Sequence, residues 1–271
     1  MVEAPIRDEG GAPVPPRIGV QVQPQHADFE GMRQAWRAAD ELGVDAIFTW
    51  DHFYPLYGEP DGKHFESLTT MASMAEVTER AQVGALVICN SYRNPELLAD
   101  AHRTVDHISG GRAILGIGSG WFERDYDEYG YEFGTVGSRL RDLGAALPRI
   151  RARLGKLNPP PIGQIPILIG GSGEKVTLRL VAEHADMWHG FGDVDTFRHK
   201  ADVLARHCAD VGRDPSAIER TWGVRDALVE QAEDLYAAGV QMLVLGIGGD
   251  GTGYDLGGLR ELVAWRDGLE S

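Results

Sequence analysis

The chain has 271 residues, 43% hydrophobic and 25% charged, with 41 acidic against 26 basic side chains and a net charge of -15. That composition fits a folded globular protein and excludes a disordered chain or a coiled coil, while the acidic balance argues against a nucleic-acid partner. Cys89 and Cys208 lie far apart and outside any CxxC pair, which excludes a disulfide framework or structural zinc site and suits a reducing cytoplasm.

Residues 1–16, with Pro5, Pro13, Pro15, Pro16 and two glycines, predict a flexible tail. Glu3, Arg7, Asp8 and Glu9 stand where a secretory leader needs an apolar core, and no apolar run reaches the roughly 18 residues that cross a bilayer. A cytoplasmic protein without a membrane partner is expected. From Arg17 the chain alternates short apolar runs with longer helical patterns. Ile18–Val22 predicts strand one, Asp28–Leu42 a helix closed by Gly43, and Val44–Phe48 strand two. Glu66–Arg80 is helical, Val83–Ile88 is strand three, and Pro95–Ser109 is a helix with proline in its first turn. Gly110-Gly111 ends it before strand four, Ala113–Ile117. A helix over Ser138–Leu154 leads through a proline-rich connector to strand five, Ile165–Ile169, and a helix over Glu174–His184. Asp186–Phe191 is strand six and Ile218–Val224 strand seven, with helices over Thr196–Val211 and Ala227–Ala238. Val240–Leu245 is strand eight, and a terminal helix covers Leu259–Leu269.

Eight β/α units of this size favour one closed (β/α)8 barrel over residues 17–271, with no linker dividing it. Ligands of such barrels bind where strands end and βα loops begin. The stretch Gly170-Gly171-Ser172-Gly173-Glu174-Lys175 follows strand five. Its glycines let amides converge on a phosphate, with Ser172 and Lys175 as further donors. The plain alternative is a tight turn in which Ser172 caps the helix. It is not a P-loop, because Glu174 separates Gly173 from Lys175. Gly116-Ile117-Gly118-Ser119-Gly120 and the glycines from Gly246 to Gly251 do not complete a dinucleotide fingerprint. They predict loops that admit a flat or bulky ligand. Asp51-His52 ends strand two, and the histidine there can exchange protons near neutral pH with Asp51 to orient it. Ligand spacing for a metal is lacking. Aromatic residues after strands two and four (Tyr54, Tyr57, Trp121, Phe122, Tyr126, Tyr129), with Arg93, Glu123 and Arg124, are expected to pack loops or meet solvent rather than bind ligand.

Four segments together resemble the bacterial luciferase-like monooxygenase superfamily, and especially its coenzyme F420-dependent oxidoreductases. They are Asp51-His52-Phe53; Ser91–Ala99; Ile108–Arg112 running into Gly116–Phe122; and Ile167–Lys175 with Ala185–Trp188. The resemblance implies a barrel that holds a flavin or deazaflavin at its C-terminal mouth. Its phosphate would lie on Gly170, Gly171, Ser172, Gly173, Glu174 and Lys175, and its ring against Cys89 and Asn90, where relatives carry a bulge. Gly118, Ser119 and Gly120 would line the same pocket. His52 matches the histidine that F420-dependent sugar-phosphate dehydrogenases place beside the reacting carbon. The connector before strand five is shorter than in many relatives, and Leu56 and Trp121 replace a tryptophan and a glutamate of those dehydrogenases, so a sugar phosphate is not the expected substrate.

Three functions follow from the resemblance. One is hydride transfer between F420 and a small organic substrate, with His52 and Asp51 handling the proton. The second is a monooxygenase using reduced FMN from a separate reductase. The third is a non-catalytic flavin-binding protein left by the shortened connector. A homodimer is the expected assembly.

Overall fold

The computed structural model describes residues 14–225 and 228–269. The expected tail lies outside these except for residues 14–16, which have no regular structure. The strands are β1 (Arg17–Val22), β2 (Ala46–Thr49), β3 (Gln82–Ala85), β4 (Ile88–Cys89), β5 (Leu115–Gly118), β6 (Ile167–Gly170), β7 (Met187–Phe191), β8 (Glu219–Val224) and β9 (Met242–Ile247). They lie in the order β3-β2-β1-β9-β8-β7-β6-β5-β4, and every ladder is parallel. β3 and β4 are two halves of one barrel strand. The Val83 amide donates to the Arg112 carbonyl (2.9 Å) and the Val83 carbonyl accepts from Ile114 (2.8 Å), which closes the ring.

The eight-stranded barrel is therefore present, with one correction: strand three does not run unbroken from Val83 to Ile88. It parts at Leu86-Val87, where the peptide is cis. Gln21 on β1 donates from Nε2 to the Leu86 carbonyl (2.7 Å), so the displaced backbone has a partner inside the barrel. The Val87 side chain then fills space that neighbouring strands leave open. A Cβ at Gly118 would come within 2.7 Å of Val87, and one at Gly170 within 2.8 Å.

The helices are α1 (Phe29–Glu41), α2 (Ser67–Val77), α3 (Pro95–Ser109), α4 (Glu123–Tyr129), α5 (Val136–Leu154), α6 (Thr177–His184), α7 (Val194–Val211), α8 (Leu228–Ala237) and α9 (Gly257–Gly268). Local chemistry sets their ends. The Asn94 side chain accepts from the amides of Glu96 and Leu97, Pro95 occupies the first turn, and Gly110 stops α3 in the left-handed region (φ 71°). The sequence pattern does not reveal α4, which is only seven residues long and ends at left-handed Gly130 (φ 70°). Helix α6 starts at Thr177 rather than Glu174, because the Leu178 amide reaches back to the Gly173 carbonyl in a wide turn (2.9 Å). Residues 155–166, between α5 and β6, hold no helix or strand.

Two apolar layers hold the barrel. The larger lies between strands and helices and includes Ile18, Trp36, Ile47, Trp188 and Trp222. The smaller fills the lumen with Phe48, Ile114, Leu168, Met187, Met242 and Val244. Alternation along each strand sends Ile47 outward and Phe48 inward. Leu86 and Val87 pack on top of the lumen cluster. No helix among the described residues is long and apolar enough to cross a membrane.

Candidate active site

A cavity of about 950 Å³ opens at the C-terminal ends of the strands, where the barrel rule places a ligand. Leu86 and Val87 form part of its surface, with His52, Trp121, Gly171 and His189 around them.

Asp51 and His52 leave β2 in succession, and neighbouring residues of an extended segment face opposite ways. Asp51 turns into the protein. Its Oδ2 accepts from the Cys89 amide (2.9 Å) and Arg93 Nη1 (2.5 Å), and its Oδ1 from Arg93 Nη2 (2.9 Å). Arg93 also donates to Glu66 (2.8 Å), whose carboxylate caps α2 through the amides of Leu68 and Thr69. Burial works against its charge, but the carboxylates of Asp51 and Glu66 more than offset this and keep Arg93 charged, and it pins β2, β4 and α2 together. Asp51 thus does not orient His52, contrary to the sequence expectation.

The orienting carboxylate is Asp125, on α4. His52 Nδ1 lies 2.7 Å from Asp125 Oδ2. The same oxygen accepts from the Tyr92 hydroxyl (3.1 Å), and Oδ1 accepts from the amides of Phe53 and Tyr54 (3.1 and 3.2 Å). The Asp125 side chain is fully buried and that of His52 is 12% exposed. A carboxylate acceptor at Nδ1 fixes the neutral ring with its proton there. Nε2 is left with a lone pair and no protein partner among the described residues, in a ring that lines the cavity. Trp50, Trp121 and Phe122 meet this ring edge-on at centroid distances of 6.0, 5.8 and 5.5 Å. Trp50 is held by its indole N–H, which donates to His64 Nε2 (3.0 Å). Burial pushes His64 down to about 4, so it stays a neutral acceptor.

The residues matched to the cofactor divide. Cys89 lines the cavity, its thiol 3.2 Å from the Tyr126 hydroxyl and pushed up by burial. Asn90 starts a short 3-10 turn (Asn90–Tyr92) and does not reach the cavity. The bulge falls at Leu86-Val87, three residues earlier than expected, because that is where β3 ends. Gly118, Ser119 and Gly120 line the cavity as expected. Gly118 leaves room for Val87; a Cβ at Gly120 would strike the Tyr126 hydroxyl at 2.0 Å, and its φ is 79°.

Gly170 and Gly171 also line the cavity. Gly170 pairs in register with His189, and the Gly171 amide donates to the His189 carbonyl (2.9 Å), so the β6–β7 ladder occupies this amide. The amides of residues 172–176 find no acceptor among the described residues. Unlike Gly170 and Gly171, residues 172–176 do not line the cavity, and Ser172 does not cap α6, whose N-cap is Val176. Glu174 points away to α7, where its carboxylate takes His199 Nε2 (3.0 Å) and Lys200 Nζ (2.6 Å). Lys175 is exposed.

His189 lines the cavity without having stood out among the strand-end residues. Its Nδ1 donates to Thr221 Oγ1 (2.8 Å), whose own proton goes to the Trp188 carbonyl (3.1 Å), and burial pushes the imidazole down to about 4. Its one sequence signal is its place at the end of a strand. Asp125 had none, standing among Glu123, Asp127 and Glu128 with nothing to distinguish it.

The model of the luciferase-like monooxygenase family matches residues 9–246. An F420-dependent glucose-6-phosphate dehydrogenase of Amycolatopsis mediterranei is 36% identical over 115 residues, covering 42% of this chain and 34% of that protein. One of Kribbella flavida is 33% identical over 136 residues, covering 50% and 40%. The matched segments thus span only about a third to two-fifths of these relatives. An F420-dependent secondary alcohol dehydrogenase, solved with an F420-acetone adduct, superimposes with a TM-score of 0.81. The superposition covers 93% of this chain and 99% of that one; at 15% identity it is a likeness of fold alone.

Proposed function

The chain belongs to the luciferase-like monooxygenase family, and from that premise we propose that it is an F420-dependent oxidoreductase acting on a small organic substrate. The observation that carries this reading is the His52–Asp125 pair, which leaves an imidazole lone pair on the wall of a cofactor-sized cavity. About 950 Å³ is at the upper end of ordinary ligand sites, room for a cofactor and a second small molecule.

The residues present fit a phosphorylated deazaflavin. The unpaired amides of residues 172–176 suit its phosphate. The apolar surface of Leu86 and Val87, open because Gly118 and Gly170 lack side chains, suits a flat ring. The ring contact thus shifts from Asn90 to the break in the third strand, and the phosphate site narrows from residues 170–175 to the amides beyond Gly171. When bound, a deazaflavin supplies a carbon centre that takes or gives hydride. His52 takes the substrate's hydroxyl proton at Nε2, or returns one in the reverse direction, and Asp125 stabilises the imidazolium that forms. Trp50, Trp121 and Phe122 hold the ring by packing edge-on against it. Related dehydrogenases bearing the F420 name support the cofactor assignment.

The test is parallel titration with F420 and FMN, followed by their fluorescence. Micromolar F420 affinity with FMN at least tenfold weaker is expected. The opposite order would favour a reduced-FMN monooxygenase, and failure of both to bind would overturn the proposal.

A further inference from the structure

Among the described residues, the charged side chains that line the cavity are Asp51 and Arg225. Asp51 is answered by Arg93. Arg225 has no carboxylate partner among the described residues: its backbone amide donates to Gln231 Oε1 (2.9 Å), and its guanidinium stands 5.9 Å from the centre of the Phe191 ring. In a chain of net charge -15, this cavity therefore faces its contents with an uncompensated positive charge.

The surroundings of that charge leave room for a ligand. Backbone alternation sends Gly223 and Arg225 to the same side of the sheet, and both line the cavity. A Cβ at Gly223, one pleat below Arg225, would meet nothing closer than 3.4 Å, so the place is open rather than filled. Phe191 lines the same corner and is 62% exposed. Tyr57 faces it from across the mouth: burial pushes the phenol above its ordinary value, and the Arg225 charge is near enough to pull against that shift. The Tyr57 ring meets Trp50 edge-on at 6.3 Å, and Trp50 meets His52 at 6.0 Å. Guanidinium and imidazole thus stand at the two ends of one aromatic wall. β8 and β2 are three strands apart in the sheet, so a ligand touching both spans on the order of 10 Å.

A guanidinium presents a planar fork of N–H groups that matches the two oxygens of a carboxylate, and one such pair leaves no excess charge. A phosphate dianion in this corner would keep a second charge for which the cavity has no cation among the described residues. An uncharged ligand that displaced water from the guanidinium would leave its donors unanswered.

We infer that Arg225 forms a carboxylate subsite, and that the substrate is a monocarboxylic acid whose reacting hydroxyl or carbonyl carbon lies on the order of 10 Å from the acid group. Calling the acid the substrate rests on the oxidoreductase reading above; the subsite does not. The carboxylate is unchanged in the reaction. It anchors the far end on Arg225, and Phe191 and Tyr57 flank the arm that joins it to the reacting carbon.

Equilibrium dialysis of the full chain, with and without F420, tests this using three ligands of similar shape: 4-(4-acetylphenyl)butanoate, its carboxamide and 3-(4-acetylphenyl)propyl phosphate. The acid is expected to bind at least about tenfold more tightly than the amide, and more tightly than the phosphate ester. Arg225→Gln should cut the preference for acid over amide below about threefold, while F420 affinity, read from its fluorescence, stays within about twofold. The inference is overturned if the acid does not bind, if the amide comes within about tenfold of it, if the phosphate ester binds as tightly, or if Arg225→Gln leaves the preference intact. Loss of F420 affinity in that variant with acid binding unchanged would assign the cation to an anionic group of the cofactor and overturn it equally. A protein that ignores F420 yet separates acid from amide would sink the oxidoreductase reading and leave the subsite standing.

Discussion

Around His52, between β2 and α4, donors and acceptors of the protein satisfy one another: Asp125 takes four hydrogen bonds and Asp51 three. After β6 the opposite holds, and the amides of residues 172–176 reach no acceptor among the described residues. The first region spends its polar groups on fixing an imidazole before any ligand arrives. The second leaves its amides unpaired within the protein. Substitutions in the first should therefore cost rate or stability, and substitutions in the second should cost affinity alone.

The sharpest break in that contrast is His52→Ala, which should lower turnover of any accepted substrate by about 10²–10⁴-fold. Asp125→Asn should fall between it and the parent, since the ring remains but its orientation and charge partner weaken. Steady-state rates followed by F420 absorbance check both. Arg93→Met comes next: it leaves buried Asp51 facing no cation, a loss of about 3–5 kcal/mol in urea unfolding. Gly118→Ala should cost about 1–3 kcal/mol by overpacking against Val87. Adding Val87→Ala should recover part of that, because the two sites touch.

Acid gives a smaller, graded effect. Burial holds His64, His102 and His189 down to about 4, whereas an unfolded imidazole titrates near 6.5. Because the folded values are the lower ones, the stability these rings contribute is complete above about pH 6.5 and drains as pH falls towards 4. Thermal melts between pH 7 and 4.5 should show the decline, and His102→Leu should flatten it. The smallest effect belongs to the open region. Lys175→Ala should leave the melting temperature within a degree or two, as expected of an exposed side chain. It should weaken F420 a few-fold while leaving a deazaflavin without phosphate unaffected.

The sequence carries the barrel plainly, because parallel strands buried on both faces read as apolar runs and their helices end at glycines such as Gly43 and Gly110. His52 was legible for the same reason, standing just past a strand. Its partner was not. Adjacency suggested Asp51, but successive side chains of an extended chain diverge, and the true partner lies 73 residues on in a helix of two turns. The break at Leu86-Val87 left no mark either, since Val83–Ile88 is as apolar as any uninterrupted strand. What betrays it are the empty places opposite, Gly118 and Gly170, and those acquire meaning only once the strands are neighbours.

Leu86 and Val87 belong at once to the packing of the lumen and to the surface a ligand would touch. Phe48, Leu168 and Met242 beneath them are therefore a foundation in the literal sense. Enlarging or trimming any of these would tilt the platform above, so a change far below the mouth and out of reach of every reactant would register as altered ring binding. Efforts to toughen the interior against heat would retune the chemistry unless those two residues kept their height.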